Sequence, residues 1–86
     1  MRTTWKKLIT EELENQSETW DELIHTTLTE SQLENEFDDS YGHSQGLPFT
    51  LWTERRVYFP VVYDGSEWVG SVPRHPGQEA TAHIGG

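Results

Sequence analysis

Apolar residues fall into two regimes along the chain. In the first, "TWKKLITEEL" from Thr4 and "TWDELIHTTL" from Thr19 repeat the same spacing, with Trp, Leu, Ile and Leu at relative positions 0, +3, +4 and +8. That spacing lines one face of an α-helix, so Trp5, Leu8, Ile9 and Leu13 form one stripe and Trp20, Leu23, Ile24 and Leu28 another. Thr19 with Glu22, and Thr29 with Gln32, read as capping boxes, in which hydroxyl and N3 side chain satisfy free amides at a helix start. Leu33 and Phe37 follow the second box four residues apart. The pattern predicts three short helices near 4–15, 19–28 and 30–37. Two repeats are too few for a solenoid; the echo suggests two helices meeting one core with equivalent faces.

Residues 38–48, "DDSYGHSQGLP", read as a loop from their glycines, proline and few apolar side chains. From residue 49 the period shifts to alternation, and "FTLWTERRVYFPVVYDGSEWVG" (49–70) holds most of the chain's aromatics. Asp64-Gly65 is a strong two-residue hairpin signal. It sets Tyr63 opposite Ser66, Val61 opposite Trp68, Phe59 opposite Gly70 and Val57 opposite Val72. This nearly continuous apolar face is the expected core side, with the ring of Phe59 covering Gly70. The first hairpin, around Glu54-Arg55-Arg56, lacks glycine. A three-residue loop would bury Phe49 and Leu51 and leave Trp52 beside Tyr58 on the outer face; a two-residue loop would exchange them. The three-residue register gives the cleaner core. Pro60 lacks an amide donor and should mark a bulge or a non-bonding position.

The expected architecture is one α+β domain over 1–86, with three short N-terminal helices packed on one face of a three-stranded antiparallel β-meander. The helical part covers about 4–37, the loop 38–48, the sheet about 49–72 and an irregular tail 73–86. The outer sheet face would then carry Trp52, Tyr58, Pro60, Val62 and Val69, edged by Arg55, Arg56 and Glu67. Either a partner meets this patch, or the loop or the tail folds over it.

Charge sharpens the picture. The net charge is −9, and it is concentrated in residues 1–40, where eleven acids face Arg2, Lys6 and Lys7. Such an acidic half repels nucleic acid and anionic membranes and is drawn to basic surfaces. Solubility alone is the plainer reading of the same acids. With no cysteine, disulfides and thiolate zinc sites are excluded. The apolar runs are shorter than a membrane span and no signal segment opens the chain, so a cytoplasmic location is expected.

Catalytic chemistry has little support. No Gly-x-Ser-x-Gly turn or glycine-rich phosphate loop is present, and Glu11/Glu12 sit on a solvent-type helix face. His43, His75 and His83 match no metal-ligand spacing, and His25 lies at a helix edge. No cofactor, metal or catalytic residue is assigned. The terminal Gly85-Gly86 matches ubiquitin-like modifiers and sulfur carriers in two residues only, and those folds begin with a β-hairpin.

"VYFPVVYDGSEWVGSVPRHP", with "FDDSYG" and "HIGG", resembles small acidic accessory proteins of tailed bacteriophages. That type includes anti-CRISPR and anti-restriction proteins, many of which occupy basic nucleic-acid grooves. The resemblance implies a non-catalytic inhibitor acting in the host cytoplasm on a protein or ribonucleoprotein with a basic surface, with no direct nucleic-acid or membrane contact. Carboxylates of Glu11, Glu12, Glu14, Glu18, Asp21, Glu22, Glu30, Glu34 and Glu36 would stand in for phosphates. Trp52, Tyr58, Arg55 and Arg56 would form the anchor. The alternative is a structural or regulatory phage protein that self-associates, as a homodimer, through its sheet face.

Overall fold

The computed structural model describes residues 2–38, 46–63 and 65–84. Most of the expected loop 38–48, the first hairpin-turn residue Asp64 and the Gly85-Gly86 terminus lie outside the described residues. A short strand β1 (Arg2–Thr4) runs directly into helix α1 (Trp5–Asn15), close to the expected span. Thr4 sits at the N-cap, its hydroxyl accepting from the Lys7 amide at 3.1 Å. The helix buries Trp5, Ile9 and Leu13, one stripe at four-residue spacing. It ends in a Schellman turn: Glu18 N donates to Leu13 O at 2.8 Å and Ser17 N to Glu14 O at 3.0 Å. Ser17 takes the left-handed conformation this turn needs, at φ 60.

The second expected helix, 19–28, does not form. Trp20–Glu22 make a single 3₁₀ turn with no side-chain cap from Thr19, and Leu23–Thr26 form strand β2. Ile24, Thr26 and Thr27 are β-branched and lose side-chain freedom in a helix. Their apolar spacing has another origin. β2 pairs with β4 (Leu51–Thr53) as Leu23↔Thr53, His25↔Trp52 and Thr26↔Leu51, with a bulge between Leu23 and His25. The bulge puts Leu23 and Thr26, three apart, on the same face and so imitates a helical step.

Helix α2 (Glu30–Glu34) has the expected capping box, with Gln32 N donating to Thr29 Oγ1 and Thr29 N to Gln32 Oε1. It is shorter than 30–37, because Glu36–Asp38 become strand β3 and pair antiparallel with β1, Thr3 opposite Phe37. The described residues thus form two helices and six strands in a two-stranded and a four-stranded sheet. This replaces the expected three helices on a three-stranded meander.

The larger sheet has the order β2-β4-β5-β6, with β5 at Arg56–Tyr63 and β6 at Ser66–Pro73. The β5–β6 register is the expected one, from Tyr63↔Ser66 to Val57↔Val72, and Gly65 in the turn has φ 84. The first hairpin is not: Leu51 pairs with Tyr58 and Trp52 with Val57, leaving Glu54-Arg55 as a two-residue loop. Thr53 closes this turn without glycine, its hydroxyl accepting from Arg56 N at 3.0 Å.

The two faces of the sheet are also reversed. Tyr58 and Leu51 are fully buried, and Val69 and Phe49 nearly so, in one core with Trp5, Ile9, Leu13, Leu28, Leu33 and Phe37. Val57, Phe59, Val61, Trp68 and Val72 face outward, half-buried. Alternation misled because the inner face also carries Thr53, Glu67 and Ser71, polar residues whose groups are bonded internally. At the far end of the core the Trp5 ring meets Phe37 and Phe49 at 4.8 and 4.9 Å, and its Nε1 donates to Leu47 O at 2.9 Å. A Cβ on Gly46 would lie 2.6 Å from this ring.

Two substitutions separate these local demands. Ser17→Gly relieves the left-handed residue and is expected to raise stability by up to about 1 kcal/mol. Gly46→Ala pushes on the buried Trp5 ring and should cost about 1–3 kcal/mol. Urea denaturation midpoints of the two variants against the parent check both signs.

Candidate functional site

The Schellman turn delivers Glu18 beneath the sheet, where its side chain is 1% exposed. Its carboxylate accepts from the Tyr58 hydroxyl in a short bond, from Thr53 Oγ1 at 3.0 Å to each oxygen, and from Arg55 Nε at 3.2 Å. Arg55 also lies 3.9 Å from Glu22 Oε2. Burial opposes the charge on Glu18, but the bonds from Tyr58, Thr53 and Arg55 outweigh it and hold the carboxyl below the usual glutamate range. Burial, reinforced by the bond and charge of Glu18, pushes the Tyr58 phenol well above its ordinary value. Tyr58 has no exposed surface and Glu18 only 2%, so a substrate cannot reach the pair. This cluster is a support.

A second polar group joins α1 to β6. Ser71 Oγ donates to Glu12 Oε2 at 3.1 Å and accepts from Arg56 Nε at 3.0 Å, while Asn15 and Gln16 also donate to Glu12. Glu67, on the inner face, accepts from Gly46 N at 3.1 Å and so holds the chain leading into β4.

The structure therefore divides the thirteen candidate contact residues. Glu18 and Tyr58 are core, while Glu12, Arg55 and Arg56 make internal bonds. Glu11, Glu14, Asp21, Glu22, Glu30, Glu34 and Glu36 are exposed. Glu22 has Arg55 nearby and Glu36 accepts from Arg2 Nε at 3.1 Å. Among the described residues no cation pairs with Glu11, Glu14, Asp21, Glu30 or Glu34. Trp52 lies on the outer face as expected, beside Val57 and 5.5 Å from the ring of His25, instead of beside Tyr58.

The aromatic outer face is thus a different set from the one expected. Pro60 and Val69 lie on the inner side, and Val62 shares that side at the exposed end of the hairpin. The outer set is Trp52, Val57, Phe59, Val61, Tyr63, Trp68 and Val72, with His25 at one end. Tyr63 is 55% exposed. The tail reaches this face at one point, where Ile84 Cδ1 lies 3.1 Å from the position a Cβ on Gly70 would occupy. Neither His25 nor Ile84 carries a sequence signal for this role, since each becomes part of the face only through the pairing of β2 and the return of the tail.

Among the described residues no three His, Asp or Glu side chains cluster to hold a metal, and no helix is long and apolar enough to cross a membrane. Glu11 and Glu14 lie on α1 away from its buried stripe of Trp5, Ile9 and Leu13, and Glu30 and Glu34 lie on α2. These four acids and the outer apolar face of the sheet therefore have the core between them. Asp21 and Glu22 sit in the turn before β2 and Glu36 in β3.

Acid tests the role of Glu18. A carboxyl with a lowered folded pKa takes its proton more readily in the unfolded chain. Its stabilisation is complete above the usual glutamate range and is lost as pH falls through the folded value. Stability should fall over that window in the parent and much less in Glu18→Gln, as read by urea melts at stepped pH. Glu18→Ala, which strands the Tyr58 and Thr53 hydroxyls, should cost about 2–4 kcal/mol at neutral pH.

No family model, curated protein or solved structure matches the chain.

Proposed function

We propose that the chain is a non-catalytic binding protein that blocks a basic, nucleic-acid-handling surface of a host protein or ribonucleoprotein complex. One observation carries the reading: acid and apolar surface are segregated onto opposite layers. Glu11, Glu14, Glu30 and Glu34 on the helices and Asp21 in the turn before β2 are exposed, and among the described residues no cation pairs with them. Such carboxylates can form charge-assisted bonds with Lys and Arg that otherwise hold phosphates. Trp52, Phe59 and Trp68 on the outer face of the sheet supply the aromatic area typical of interface centres, with Val61 between them. A flat partner could touch only one layer, whereas a concave groove, such as one that holds nucleic acid, can touch both. The resemblance to phage accessory inhibitors points the same way.

Self-association is the second reading, favoured by one feature. Glu11, Glu14, Glu30 and Glu34 lie on the helices, away from the outer face of the sheet, so two outer faces can meet without bringing these acids together. Sedimentation of the isolated chain separates the readings, because a stable dimer that disperses on Trp52→Ala supports self-association.

For the inhibitory reading, affinity capture from a bacterial lysate supplies the partner, and the captured complex is then titrated. Its affinity should fall by at least about tenfold between roughly 50 and 200 mM salt. Joint Glu11→Lys, Glu14→Lys and Asp21→Lys should abolish that salt slope while leaving the circular dichroism melt intact. Binding indifferent to both would overturn the charge mechanism.

A further inference from the structure

β6 is an edge strand of eight residues, and along its outward edge it carries no Lys or Arg before the closing Pro73. Unpaired strand edges invite another strand, and natural edges are normally blunted by charge, bulges or a covering segment. Here the tail returns beside the edge. Residues 81–84 run alongside Trp68–Ser71, yet among the described residues no backbone hydrogen bond joins them to β6. A groove of about 430 Å³ separates the two, walled on its third side by Glu12, Asn15 and Gln16 of α1. The tail leans on the edge without completing the sheet.

We infer that this groove is a strand-addition site for an extended peptide in which an aliphatic residue is flanked by Lys or Arg, and that residues 81–84 occupy its anchor point in cis. Alternation along the strand dictates the pattern. A residue opposite Gly70 projects to the outer face, into the notch between Phe59 and Val61 where Ile84 now rests. Gly70 alone can leave that notch open, since a Cβ there would already lie 2.9 Å from Val61 Cγ2. The residue before or after it projects to the inner side, towards Ser71 and Glu12. The Glu12 carboxylate accepts from Asn15, Gln16 and Ser71 but has no cation on it among the described residues. A Lys or Arg at that step supplies one. The tail carries a weaker version of the same pattern, His83 followed by Ile84, and both residues line the groove. Main-chain bonds to the edge would provide affinity and the alternate side chains specificity. This site shares Phe59, Val61 and Trp68 with the outer face used in the inhibitory reading, but it rests on the β6 edge, Ile84 and Glu12 and not on the exposed acids, so the two can fail separately.

The probe is a capped heptapeptide alternating Lys with Val-Ile-Val, titrated into the full ¹⁵N-labelled chain. The amide signals of Trp68–Ser71 and Thr81–Ile84 should shift together, in a saturable manner. Ile84→Asp, which withdraws the competing side chain, should tighten binding by about fivefold. Two control peptides, one with Glu for every Lys and one with Asp for the central Ile, should each fail to bind. Equal binding by the Asp peptide would reveal mere charge attraction and overturn the proposal. Shifts confined to Trp52 and Val57, or unchanged affinity in Ile84→Asp, would overturn it as well.

Discussion

A buried carboxylate must be paired or it destabilises the fold, and the architecture of this chain follows from how Glu18 is paired. The residue lies just past α1, turned inward by the left-handed Ser17. Its partners come from three places in the sheet: Thr53 at the end of β4, Arg55 in the turn and Tyr58 in β5. Thr53 can serve both Glu18 and the Arg56 amide only if Glu54-Arg55 form a two-residue turn. That turn sets Leu51 opposite Tyr58 and so fixes the register of the first hairpin. The same bonds require Tyr58 to point towards α1, and by alternation they send Val57, Phe59 and Val61 outward. One ion therefore settles both the register and the sidedness of the sheet.

Features dictated by neighbours in sequence were legible, and features dictated by partners across the fold were not. The span of α1, expected near 4–15 and found at Trp5–Asn15, follows from local spacing, as does the Thr29–Gln32 capping box. The Asp64-Gly65 signal places every pair from Tyr63↔Ser66 to Val57↔Val72. By contrast, the apolar spacing within 19–28 does not distinguish a helical stripe from a bulged strand, because the bulge at Ile24 gives Leu23 and Thr26 the same three-residue spacing. Only the β-branching of Ile24, Thr26 and Thr27 leans towards a strand. The inner face escapes sequence reading because its polar residues are buried. Glu67, Ser71 and Thr53 look solvent-facing until Gly46, Glu12 and Glu18 arrive from 21, 59 and 35 residues away. The two errors in the sheet partly cancelled: reversing both register and face leaves Phe49 and Leu51 buried, as expected.

The same long-range bonds reshape the functional reading. Glu12, Glu18, Arg55 and Arg56 are charged residues that look available in the sequence, yet each is used to hold α1 and the β4–β5 turn against the sheet. What remains exposed is simpler than the sequence suggested: four helical acids and Asp21, with no cation on them among the described residues, and an apolar sheet face.

That division is costly for a chain whose length leaves little stability to spare. Tyr58 and Val69 share their face with Thr53, Glu67 and Ser71, three polar residues that must all be satisfied, while Phe59, Val61 and Trp68 are left half in water. Exchanging the two sets would bury more apolar area and remove the need for internal polar bonds. Apolar patterning alone would not make the observed choice; the pairing of Glu18 makes it, at the cost of local consistency. The half-exposed outer aromatics, and the notch at Gly70 that Ile84 fills, are the departure from that consistency. What makes the arrangement tenable is the set of internal bonds from Glu18, Glu12 and Gly46, without which the polar inner face could not be buried.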